Sequence, residues 1–593
     1  MTLNLIKHAN RLGLSRTFQP QLKLSARSLA SATTIRPDVD THPAEQTPYL
    51  LEELPAVTSG DPAAINALPA FVVSRERGFL PRFDPMPELP GQFSKLESLL
   101  QRMTINQVDG STGLLGKGDF GPAVLEELSV SEQDSALAVK AAKDPQADAR
   151  LLNALFRDYC FATSAYLLEP TDQAFRATGK YAPGRSVLPA QLAVPLCALA
   201  ERLGHAPFME YASSYALSNY RVKSDSFTST SGKFHFDNME LIRAFEDAHG
   251  SEKGFILVHV HMLAHSGAVV SSVEDAMRAV ECDDAAAFEN ALERLLLAFR
   301  RINETMETMW GKSNPADYLK FRSFIFGSGP KKMSAMFPEG VVYEGVADEP
   351  MAFPGESGAN DSLIPALDNL TGLSAHFPSN ELTSMLRNFR AFRPRSQREC
   401  LAMIEQRAKA IGVRSYAMER SKSARAKALY ILLLDQNREF RDRHWRFTKT
   451  YIIARSQYTV ATGGSPILRY LPHNLSVVLD VLDQSFGDFT ALDRAELRNK
   501  AASEPAHHAI TSAELLAAVE QAGSRAATQR RILDREVADL ARAKADEAAE
   551  AGMGAVEEHR RGMLPDDYPT AAFDKLAAAR AMKRGPVGCD GVG

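Results

Sequence analysis

The sequence predicts a mainly α-helical protein of more than one structural unit, and three observations carry that expectation. Apolar residues recur at three- and four-residue spacing through most of the chain, alternating strand-like runs are few and short, and 45% of the 593 residues are hydrophobic. That is enough apolar mass for a buried core, and the length asks for two or more units. Charge is nearly balanced, with 68 basic against 73 acidic residues, a net charge of -5 and a pI near 6.3. Nothing global therefore draws the chain to nucleic acid or to an anionic membrane. The five cysteines, Cys160, Cys197, Cys282, Cys400 and Cys589, lack C-x-x-C spacing. A disulfide framework and a thiolate zinc site are disfavoured, and a reducing compartment is expected.

In chain order, residues 1 to 37 hold Lys7, Arg11, Arg16, Lys23, Arg27 and Arg36 before the first acidic residue. This reads as a mitochondrial transit segment or as a basic tail, so cytoplasm and mitochondrial matrix are both open. The stretch FLPRFDPMPELPGQF (79 to 93) is expected to be extended and to wrap, because each proline removes a donor and restricts its predecessor. The polar run SDSFTSTSGKFHFDN (224 to 238) reads as a connection between two helical units. Residues 254 to 273 carry no Lys, Arg, Asp or Glu and are long enough to cross a bilayer, but three histidines, three serines and two glycines make a buried helix the expectation and a membrane span not. From Thr511 to about Gly552 the composition is helical with a poor apolar stripe, which predicts an exposed helix followed by a flexible tail.

Chemistry-bearing residues cluster in four places. In ALYILLLDQNREFRDRHWRFTKTYIIA (428 to 454), Phe440, His444, Phe447 and Tyr451 fall at i, i+4, i+7 and i+11, so His444 projects from an apolar face with Arg441 close to the same side. Such a histidine is either a hydrogen-bonded core residue or an axial ligand to a haem iron. Phe255, Val258, His259 and Met262 share one helical face in the same way, while His261 and His265 form a short H-x-x-x-H pair without an evident third ligand. Two glycine-rich segments, FPGESGANDSLIP (353 to 365) and VATGGSPILRYLP (460 to 472), allow close backbone approach to a flat ligand, as simple turns also do. Neither matches a phosphate loop.

Taken in order, the segments RGFLPRFDPMPELP (77 to 90), SAYLLEP (164 to 170), VLPAQLAVPLCALAERLG (187 to 204), YASSYALSNY (211 to 220), KGFILVHV (253 to 260), FRSFIFG (321 to 327), FPEGVVYEGV (337 to 346), GESGANDS (355 to 362), FRDRHWRFTKTYI (440 to 452) and VATGGSPI (460 to 467) resemble the indoleamine 2,3-dioxygenase family of haem enzymes. The resemblance covers residues 45 to 483, about 440 residues. It implies a mainly α fold in which a small, mostly helical N-terminal domain (45 to 243) lies over a large all-helical haem domain (244 to 483), between a tail (1 to 44) and an Ala-rich helical extension (484 to 593).

The resemblance also implies roles. His444 matches the proximal ligand of haem b, Arg441 the arginine on a haem propionate, and Asp368 the carboxylate that pairs with it. Phe255 matches an aromatic residue that packs on the indole, Ser357 the small distal serine, and Arg322 the arginine that binds the substrate carboxylate. Thr462 falls in the loop that closes over substrate, and Tyr215 and Ala216 in the segment lining the pocket, which is one residue longer here than the usual form. Two departures stand out: His259 replaces the serine of mammalian members, and Asp317 and Tyr318 occupy a region where the family has two aromatic residues. The implied activity is insertion of O2 across the indole C2–C3 bond of L-tryptophan, giving N-formyl-L-kynurenine, by a monomer. Two rivals remain: oxygenation of another indole or tryptophan derivative on the same fold, and a non-catalytic helical scaffold.

Overall fold

The computed structural model describes residues 49–130, 133–329, 336–377, 392–456, 461–462, 467–501 and 508–550. The basic N-terminal segment, the last glycine-rich tail and residues 463 to 466 of the second glycine-rich segment lie outside them. Helices dominate: α1 (Ser94–Gln101), α2 (Phe120–Glu127), α3 (Gln133–Lys143), α4 (Ala149–Thr178), α5 (Ala190–Leu203), α6 (Ser251–Leu263), α7 (Ser266–Glu281), α8 (Ala285–Glu307), α9 (Tyr318–Arg322), α10 (Leu363–Leu370), α11 (Arg395–Ile411), α12 (Ala424–Thr448), α13 (Ile467–Gly487), α14 (Ala491–Ala501) and α15 (Ser512–Glu550). Among the described residues the strands are two or three residues long. β1 (Val187–Leu188) pairs in parallel with β4 (Val342–Tyr343), and β2 (Tyr220–Val222) pairs antiparallel with β3 (Met239–Leu241).

Local chemistry sets the helix ends. Asp148 accepts from the Arg150 amide to start α4, Asp284 from the Ala287 amide to start α8, and Ser423 from the Ala426 amide to start α12. α4 stops at Gly179, whose φ of +73° is a conformation that L side chains rarely adopt. Because α4 is buried almost all round, its polar residues need partners. Arg157 Nε donates to Asp158 Oδ1 at 2.8 Å, and Arg243, just after β3, donates to Asp158 and to Glu97 of α1. Burial works against the Asp158 charge, yet Arg157 and Arg243 hold its carboxyl below the usual range.

Three segments differ from the sequence expectation. Residues 254 to 273 are not one helix: α6 and α7 meet at Ala264 and His265. There the Ser266 hydroxyl donates to the Leu263 carbonyl and accepts from the Phe79 amide, and the two backbones press so close that a Cβ on Gly78 would collide with Ser266 and one on Gly267 with the carbonyls of Arg75 and Glu76. Both helices are buried, which is why so apolar a stretch needs no bilayer: 72% of its most hydrophobic window lies inside the protein. The 224–238 run does not join helical units but links β2 to β3. Residues 512 to 540 are helical as expected, but one face of that helix is buried rather than exposed. α15 buries Leu515, Val519, Ala522, Ala526 and Leu533 against α12 and α13, and Gly523 sits where a Cβ would strike the Phe486 ring. The stripe looks poor because two of its five positions are alanines that allow close packing.

Candidate active-site cavity

α6 reaches the centre of the protein because Gly254, in its first turn, lies against the backbone of residues 312 and 313, where a Cβ would run into the Lys312 carbonyl. From there Phe255, Val258, His259 and Met262 face a cavity of about 1040 Å³, counting the part open to solvent. The opposite wall is the end of α12, with His444, Phe447 and Thr448, followed by a π-helical turn, Lys449–Ile453, that brings Tyr451 and Ile452 inward. Tyr318 of α9, the 356–359 segment, Ala461, Thr462 and Ile467 complete it.

Both facing histidines are neutral near pH 7. Burial, with His259 and Arg441 nearby, pushes the His444 imidazole down to about 4, and burial lowers His259 as well. His259 Nδ1 lies 2.8 Å from the Phe255 carbonyl, an oxygen that can only accept, so Nδ1 carries the proton and Nε2 keeps its lone pair. A Cβ on Gly358 would approach that Nε2 at 3.9 Å, which places it at the cavity edge beside the 356–359 segment. The His444 ring has open surface although protein surrounds it, as a residue facing an internal space must.

The 353–358 segment is held from both sides. Gly327 and Gly355 cross so closely that either Cβ would meet the other's amide nitrogen, and Thr462 Oγ1 donates to the Glu356 carbonyl at 2.5 Å. Ser357 caps the following turn by accepting from the Ala359 amide at 3.2 Å.

Of the residues singled out from the sequence, Phe255, His259, Tyr318, Ser357, Thr462 and His444 line the cavity together. Arg441 and Asp368 stand one layer behind as an ion pair of 2.8 Å, with Asn437 also donating to Asp368 at 2.7 Å. Five others are placed elsewhere. The Tyr215 hydroxyl bonds Glu252 at 3.2 Å, and Ala216 is buried next to it. Arg322 is fully buried behind Tyr318, with its guanidinium 4.8 Å from the Phe326 ring centre and within hydrogen-bonding reach of the Tyr181 and Tyr318 hydroxyls. His261 and His265 lie on another face, rings 5.9 Å apart, with His235 4.6 Å from His261. Sequence reasoning missed Glu356, a buried carboxyl on the cavity wall; an acidic residue set between small ones in GESGANDS was the available signal.

The family model described as indoleamine 2,3-dioxygenase matches residues 67–475. Indoleamine 2,3-dioxygenase 1 of Mus musculus is 28% identical over 280 residues, 47% of this chain and 65% of that protein. Its namesake in Rattus norvegicus is 29% identical over 222 residues, 37% of this chain and 52% of that protein. Indoleamine 2,3-dioxygenase nanC of Aspergillus nanangensis is 25% identical over 304 residues, 48% of this chain and 72% of that protein. The chain thus spans between about half and two thirds of the two rodent proteins it matches. The family match covers well over half of the 593 residues and includes every wall of the cavity, and the chain belongs to the indoleamine 2,3-dioxygenase family.

Proposed function

We propose that the chain is a haem-dependent dioxygenase that converts L-tryptophan to N-formyl-L-kynurenine. The carrying observation is His444, a neutral imidazole open toward an internal cavity that faces a second neutral histidine. The residues present fit haem b. His444 offers a nitrogen donor, Phe447, Ile452, Ile467 and Met262 offer apolar contact, and Arg441 Nη1 is a buried donor with no partner among the described residues, suited to a propionate. Bound there, the haem would supply the activation of O2 at its iron.

The chain's own task is orientation and exclusion of water. His259 Nε2, held as an acceptor by the Nδ1 contact, can take the indole N–H, while Phe255 and Tyr318, with ring centres 5.3 Å apart, provide an aromatic wall. Thr462, tied to the Glu356 carbonyl, holds itself and Ala461 against the cavity. The test is spectroscopic: haem-supplemented protein, reduced without oxygen, gives a Soret band that moves on adding L-tryptophan, and O2 then yields the near-ultraviolet band of N-formylkynurenine. Absence of any Soret band after supplementation overturns the proposal.

The position of Arg322 favours a second reading, oxygenation of another indole by the same haem. With that guanidinium behind Tyr318 rather than on the cavity wall, a substrate carboxylate meets no arginine fork among the described lining residues. Product analysis with L-tryptophan against other indoles separates the two.

A further inference from the structure

We infer that Glu356 is the residue that recognises the side-chain ammonium of the substrate. The inference rests on the haem-dioxygenase reading above and adds a specificity-determining residue to it. Glu356 is 4% exposed and belongs to the cavity wall. Its carboxyl lies within electrostatic range of the Tyr211, Tyr215 and Tyr318 hydroxyls, yet among the described residues no cation and no hydrogen bond serves it. A buried carboxyl without a cation is expensive to ionise, and burial alone pushes this one up to about 8. A protein tolerates such a group where a ligand brings the missing charge.

Two further facts bear on the choice of ligand. The crossing of Gly327 with Gly355 and the Thr462 bond to the Glu356 carbonyl fix the backbone that carries the carboxyl, so the site is held before any ligand arrives. The opposite charge is secluded: Arg322 is fully buried behind Tyr318 and is not part of the cavity wall. Among the described residues the cavity wall therefore offers an ammonium a counter-charge and offers a carboxylate none. Binding an ammonium would displace the Glu356 proton, so affinity for an amine should rise as pH approaches 8.

The test compares L-tryptophan, tryptamine and indole-3-propionate by equilibrium titration of the haem-loaded protein with Glu356→Gln and Glu356→Asp. In wild type, both amines bind more tightly than indole-3-propionate. Glu356→Gln weakens both by about tenfold or more and leaves indole-3-propionate within about twofold. Glu356→Asp, which keeps the charge, retains the preference for amines. A uniform loss across the three ligands would mark a structural role and overturn the inference, as would no change in Glu356→Gln. Wild-type protein that binds none of the three sinks the indole reading itself, a different failure from binding that ignores Glu356.

Discussion

His444 and His259 show how far single residues were legible. Helical spacing placed each on an apolar face, and both line the one cavity. What spacing could not separate was core packing from ligation, because that depends on whether the space in front of the ring is filled. Arg322 was legible through the resemblance that FRSFIFG carries, but not its seclusion, which arises only when α9 turns Tyr318 between it and the cavity. Two outcomes follow at this scale. His444→Ala should leave helix content unchanged by circular dichroism while abolishing the Soret band, since Arg441 and the apolar wall alone do not bond iron. Tyr318→Phe should lower KM for a carboxylate-bearing indole relative to tryptamine, because it removes a hydroxyl within hydrogen-bonding reach of Arg322. An unchanged ratio of KM values would show that Arg322 is held by its other neighbours.

At the scale of elements, the wrapping stretch and the buried apolar helices could be read from prolines and missing charges, whereas the break between α6 and α7 could not. That break depends on Ser266 meeting the Phe79 amide, a contact between residues 187 positions apart. α15 is the larger lesson. Its buried positions repeat at four, three, four and seven residues, a seam that two alanines conceal in a hydropathy profile. The seam lies on the helix that carries His444. Arg525 donates to Asp435 at 2.7 Å, Arg438 to Gln529 at 2.7 Å, and Glu536 accepts from Trp445 Nε1 at 3.2 Å and Lys449 at 2.7 Å. Trp445 is 1% exposed, so removing its acceptor strands a buried donor beside His444. Glu536→Ala should therefore destabilise the fold by about 1–2 kcal/mol, and Leu515→Ala by about 2–4 kcal/mol, read as lower urea midpoints. If both variants unfold like wild type, α15 is an ornament on the catalytic unit rather than part of it.

Across the whole molecule, buried charge is arranged in two ways, and pH distinguishes them. Asp158 is compensated by Arg157 and Arg243, so its carboxyl stays ionised and its contribution is lost only as pH falls below the ordinary Asp range. Glu252 is not compensated by a cation: burial pushes it up to about 8, against hydrogen bonds from the Phe245 and Glu246 amides to its Oε2 at 2.8 Å. A raised carboxyl pKa means that the folded state binds a proton the unfolded chain has released. Its contribution is full below about 4.5 and is lost as pH climbs toward 8. The buried histidines act on the other side. His205, His261 and His265 are pushed down to about 3, 4 and 4, so they oppose folding only as pH falls below 6.5. Above pH 6.5 these histidines are neutral in both states, and the buried carboxyls held above their ordinary range, Glu252, Glu356 and Glu210, govern the limb. The haem-free protein should lose stability between pH 6.5 and 8.5, measured as a falling urea midpoint. Glu252→Gln should flatten that fall, because an amide keeps an oxygen for the two backbone donors, offers an N–H to the Tyr215 hydroxyl, and has no proton to lose. An equally steep limb in Glu252→Gln would place the titration elsewhere and leave Glu252 ionised in the fold.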